Sequence, residues 1–190
     1  MKKKGMIVLA GLLILLTAGG LYHRSYPVEA DNRNLQEYVE ASLSRRTALP
    51  SEYTVELFDA HTIGKERYVL MELRDGRNND FLGYVRLKQG FNGRYKVAGC
   101  HYGTGNYWEE ILWQDESAVF LIGGRNAYFG IGTIRVHVAH EEYVITVPAG
   151  DRYLAAVPVK APEGQTHVLP EDISFHAAGG SDVTDLVWNK

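Results

Sequence analysis

From Met6 to Leu21 the chain carries sixteen residues with no charge among them, separated only by Gly5 from Lys2, Lys3 and Lys4. A basic start followed by an uncharged apolar core is the pattern of an export signal. Counted from Gly5 to Tyr22 the run has 18 residues, which as a helix would extend roughly 27 Å against a hydrocarbon core of about 30 Å. Residues 1–22 are therefore expected to form a signal anchor that crosses a membrane once. The lysines then stay cytoplasmic and the C-terminal region lies outside, with Tyr22 and Tyr26 suited to the outer interface. The alternative is a cleaved signal and a secreted product, for which Ala18-Gly19-Gly20 offers small residues at a cut.

With Lys2, Lys3 and Lys4 set aside, 17 of the 20 basic residues remain against 23 acidic ones, a balance of −6. That excess, without a basic stripe interleaved with aromatics, argues against nucleic acid as a partner. Cys100 is the only cysteine. It rules out an intrachain disulfide and a lipid-modified cysteine near the anchor, and an exported chain without paired cysteines fits a bacterial origin.

Residues 23–30, with Pro27, suit a linker between membrane and body. Leu35, Tyr38, Val39 and Leu43 then fall on one helical face, predicting an amphipathic helix over Asn32–Arg46 that Arg45 and Arg46 favour at its C-terminal end and Pro50 stops. From Tyr53 the apolar period drops to two. Strands are expected at Tyr53–Asp59, Arg67–Leu73, Phe81–Lys88 and Tyr95–Tyr102, joined by short turns at Ile63-Gly64-Lys65, Asp75-Gly76 and Asn92-Gly93, the last as a tight two-residue hairpin. Connections this short make the sheet an antiparallel meander.

Further short runs follow Gly103-Thr104-Gly105-Asn106: Glu110–Trp113, Ala118–Ile122, Ile131–Ala139, Tyr143–Val147, Tyr153–Val159, Ile173–Phe175 and a weaker Val183–Val187. The fold class expected is mainly β with one N-terminal amphipathic helix (α+β). Residues 31–105 would hold the helix and meander, and residues 106–190 a β-sandwich-like unit, with one continuous β structure as the alternative.

Cys100-His101 pairs a thiol with an imidazole, but neighbours on a strand point to opposite faces, so a small packed cysteine is the simpler reading. His137 and His140, followed by Glu141 and Glu142, have spacing that gathers metal ligands on a helix and separates them on a strand; His167 and His176 are the conceivable additions. Neither a metal nor another cofactor is expected. Glu109 and Glu110 are adjacent and read as solvated charge. Tyr102, Tyr107, Trp108 and Trp113 are the candidate binding residues, as an aromatic platform for sugar rings or a partner protein. Packing between the two β regions is the competing use of the same side chains.

The stretch Leu82-Gly83-Tyr84-Val85-Arg86-Leu87-Lys88-Gln89-Gly90-Phe91-Asn92-Gly93-Arg94-Tyr95-Lys96-Val97, with Tyr102-Gly103-Thr104-Gly105 after it, resembles uncharacterised membrane-anchored extracytoplasmic proteins of Gram-positive bacteria. The resemblance implies a location and carries no site residue. The expected function is a non-enzymatic binding module for an envelope protein or glycan, tethered by its N-terminal helix. An envelope hydrolase and a sensory or regulatory ectodomain are the alternatives.

Overall fold

The computed structural model describes residues 2–46, 53–77 and 79–189, with side chains at 2–10 and 44–46 outside the description. Helix α1 covers Lys2–Ser25 and α2 covers Leu35–Arg46. Four strands follow, β1 Thr54–Ile63, β2 Glu66–Arg74, β3 Asp80–Gln89 and β4 Tyr95–Gly103, paired in that order as an antiparallel meander. Six more complete the sheets: β5 Tyr107–Gln114, β6 Ser117–Arg125, β7 Ile131–Val138, β8 Glu141–Thr146, β9 Arg152–Val159 and β10 Ile173–Ala177. They form two three-stranded sheets of order β5-β6-β9 and β10-β7-β8. A short helix α3, Thr184–Trp188, follows them. The chain is thus mainly β, with antiparallel pairing throughout its sheets and few helices.

Leu12, Leu13, Ile14, Leu15 and Leu16 are consecutive on α1 and all are exposed, as is Leu21. Consecutive positions point around the whole helix, so over this stretch α1 offers apolar surface on every side. Among the described residues no helix is long and apolar enough to cross a membrane. The side chains of residues 2–10, which carry the first part of the uncharged run, lie outside that description. After α1, Val28 is buried and exchanges both backbone hydrogen bonds with Tyr95, at 2.9 Å each. The segment expected as a linker is therefore tied to β4.

The second helix begins three residues after the expected Asn32, which takes φ +62°, a value no right-handed helix admits. Leu35, Val39 and Leu43 are buried on the meander, whereas Tyr38 of the expected stripe is exposed. The side chains of Arg45 and Arg46 and the stop at Pro50 lie outside the described residues. The Asn92-Gly93 turn also differs from the expected tight hairpin. Its connection runs from Gly90 to Arg94, only Gly93 takes positive φ, and the Asn92 side chain accepts the Arg94 N–H instead. Gly64, at φ +58°, does make the tight turn between β1 and β2.

Successive layers bury both faces of the meander. Val69, Met71, Val85 and Leu87 face α2, while Tyr68 and Tyr84 meet Leu112 and Leu121 of the β5-β6-β9 sheet. The opposite face of that second sheet, with Phe120, Ile122 and Tyr153, shares a further core with Ile134, Val136 and Phe175 of the third. Val183–Val187, expected as a strand, is α3 instead. Asp182 accepts the Thr184 N–H and Thr184 accepts the Phe175 N–H, curling the segment so that Val187 alone is buried.

Candidate functional site

Strand alternation divides the expected aromatic platform. Along β5, Tyr107 and Trp113 turn to the core between the second and third sheets, where Tyr107 packs on Phe175 at 5.0 Å and the Trp113 indole donates to the Gln165 carbonyl at 2.8 Å. Trp108 turns the other way and lies 4.4 Å from the Tyr84 ring, over the buried Gly123. A Cβ at Gly123 would come within 2.8 Å of the indole, so this close seat requires glycine. Tyr102, at the end of β4, is 43% exposed and meets Phe81 edge-on. Of the four residues, the structure brings Tyr102 and Trp108 into one cleft and keeps Tyr107 and Trp113 in packing.

That cleft, about 340 Å³, opens where β3, β4 and β5 end side by side at the seam between the first two sheets. Gly83 of β3 lets the strands close up, since a Cβ there would collide with the His101 carbonyl. His101 stacks almost parallel on Tyr84, with centroids 4.9 Å apart and 8° between the planes. Cys100 faces the other way, against the core under α2, so thiol and imidazole lie on opposite sides of the sheet.

The two glutamates are engaged rather than solvated. Tyr84 donates its hydroxyl hydrogen bond to Glu110. Glu109 receives the Val168 N–H at 3.3 Å and lies 3.1 Å from the His167 Nδ1, with only 12% of its side chain exposed. Burial raises the Glu109 carboxyl above its ordinary value, against the opposing pull of His167, and raises the Tyr84 phenol further still with the help of Glu110. The Trp108 indole N–H is buried and has no partner among the described residues. The cleft thus joins an aromatic floor to two carboxylates and two imidazoles.

A second, polar recess of about 280 Å³ lies along the same seam. There Glu72 of β2 accepts from Arg125 of β6 at 2.9 Å and from Arg152 of β9 at 2.5 Å, and the Arg152 guanidinium covers the Phe58 ring at 4.0 Å. Burial works to raise the Glu72 carboxyl, but the two guanidiniums outweigh it and hold it below the ordinary value. Glu72, Arg125 and Arg152 pair across the seam, so the arrangement ties sheets together. Elsewhere, Glu141 is bound to Lys160 and Tyr143, and Glu142 to Arg135. Among the described residues no three His, Cys, Asp or Glu side chains gather as metal ligands.

From the sequence alone Glu109 and Glu110 read as solvated charge and Tyr84 as a strand residue. His167 stands 58 positions beyond Glu109 in a segment without regular structure, and no local spacing announces their contact. Compared with protein-family models, curated proteins and solved structures, the chain matches none.

Proposed function

We propose that this is a membrane-anchored extracytoplasmic binding module whose cleft at Tyr102 and Trp108 takes a glycan of the cell envelope. The observation that carries the reading is the cleft itself. Sugar rings present apolar C–H faces and hydroxyl edges; Trp108 and Tyr102 suit the former, and the carboxylates and imidazoles suit the latter. A volume of about 340 Å³ lies at the lower end of ordinary ligand sites. The location rests on the three lysines and the uncharged run of the sequence, supported by the exposure of Leu12 through Leu16 all around α1. On this reading α1 spans the membrane, and the second and third sheets form the sandwich-like unit that backs the cleft.

The test is titration of the full-length protein in detergent with soluble envelope glycan fragments, followed by tryptophan fluorescence and calorimetry. Saturable binding is expected. Tyr102→Ala should weaken it about tenfold, the upper range for one aromatic stacking partner, while leaving the melting temperature unchanged because that ring is half in solvent. Equal binding by the parent and Tyr102→Ala, or none by either, would overturn the glycan reading.

One observation favours a hydrolytic role instead: Glu109 is a buried carboxyl with a raised proton affinity beside a histidine, as a general acid requires. Release of reducing ends from the same glycans, abolished in Glu109→Gln, would establish it.

A further inference from the structure

Where α1 leaves its apolar stretch, the turn between β3 and β4 returns to meet it. The Phe91 N–H donates to the Tyr22 hydroxyl at 2.6 Å, and the two rings stack with centroids 6.3 Å apart. Arg94, three positions on, donates to the carbonyls of Tyr26 and Pro27 at 2.8 and 2.6 Å. The turn is thus bolted to the helix end, yet Phe91 itself is 98% exposed, the most exposed large apolar side chain among the described residues. A held aromatic ring wholly in water loses the burial worth that such a ring ordinarily gains.

Beside it, Tyr22, Tyr26, Lys65 and Lys88 enclose a cavity of about 350 Å³. Lys65 and Lys88 are exposed and make no ion pair among the described residues. Lys96 lies over the Tyr26 ring at 5.4 Å, and with Arg24 it lines a second groove on the other side of the helix end. Four cations of a chain whose body is acidic by sequence, Arg24, Lys65, Lys88 and Lys96, thus stand around the exit of α1.

We propose that this face docks on the outer leaflet of the membrane that holds α1, with Phe91 inserted at the headgroup boundary and Lys65 and Lys88 holding the phosphate of an anionic phospholipid. The inference rests on the anchored reading of α1. The uncharged run ends at Leu21, so the membrane surface lies at the level of Tyr22. Phe91 touches Tyr22 and shares that level. The lysines beside it stand at the depth of the phosphates, where opposite charge draws them. An apolar ring flanked by two tyrosines and unpaired lysines is the composition of an interfacial anchor.

The test uses the full chain in vesicles of equal phosphatidylglycerol and phosphatidylcholine, with Phe91→benzoylphenylalanine as a photocrosslinker and mass spectrometry of the adducts. Tyr128→benzoylphenylalanine, 82% exposed in the turn between β6 and β7, is the control. Lipid adducts are expected at position 91 and absent at 128. Phosphatidylglycerol should be favoured roughly 20-fold at low salt, and Lys65→Gln or Lys88→Gln should each remove about fivefold of that preference. A chain retained in alkali-washed vesicles that yields no lipid adduct at 91, or adducts in the mixing ratio, overturns this inference and leaves the anchor intact. A chain stripped off by alkali overturns the anchor and this inference with it.

Discussion

Glu109 and Glu72 are two seam carboxylates pushed in opposite directions, and their pH signatures differ in sign. A carboxyl whose folded value is raised holds its proton more tightly in the folded chain. Glu109 therefore favours folding at low pH, and this support is lost as pH rises from the ordinary 4.5 through the raised value. Glu72, lowered, contributes its stability above 4.5 and loses it as pH falls toward its folded value. Melting temperatures recorded from about pH 3 to about pH 7 should show this. Glu109→Gln should flatten the decline above the ordinary carboxylate value, and Glu72→Gln should flatten the acid limb; a Glu109→Gln profile parallel to the parent would sink the assignment. Neither behaviour was readable from sequence. Burial and partners set both, and these come from segments far apart in the chain, whereas the opposed directions of Cys100 and His101 follow from strand alternation alone.

The contrast between Leu35 and Tyr38 tests how α2 is held. Both belong to the apolar stripe of the sequence, but Leu35 is fully buried on the meander and Tyr38 is exposed. Leu35→Ala should destabilise by about 3 kcal/mol through lost burial and the cavity left behind, and Tyr38→Ala by less than about 0.5 kcal/mol. Urea denaturation of the two variants in the same detergent measures the difference, and equal losses would show that the helix sits rotated from its described position. The strands were the readable elements, because alternation and turn residues are local signals. Their errors are local too. Asn92 uses its side chain to close a wider turn, and Asp182 and Thr184 curl Val183–Val187 into helix, overriding the β-branched residues there.

The layers from α2 to the third sheet are joined by contacts that no single segment encodes. Tyr68 and Tyr84 supply the apolar seam, and Glu72 with Arg125 and Arg152 supplies its polar edge. Glu72→Gln leaves two guanidiniums without their shared anion in a partly buried site and should cost about 2 kcal/mol, below the 3–5 kcal/mol typical of fully buried pairs. A double-mutant cycle with Arg152→Met measures the coupling, and additive losses would mean that the pair does not join the sheets. The sequence predicts β strands on both sides of Gly103–Tyr107 and leaves open how they meet, since register between distant strands has no local mark. It does mark one end of the molecule strongly, where an uncharged run within α1 exposes leucine on all sides. Alkaline carbonate extraction of membranes from a bacterium expressing the full chain, with intact-mass analysis of the product, examines that end directly. The expected result is a chain beginning at Met1 that stays with the lipid pellet. A soluble product beginning near Leu21 would contradict it.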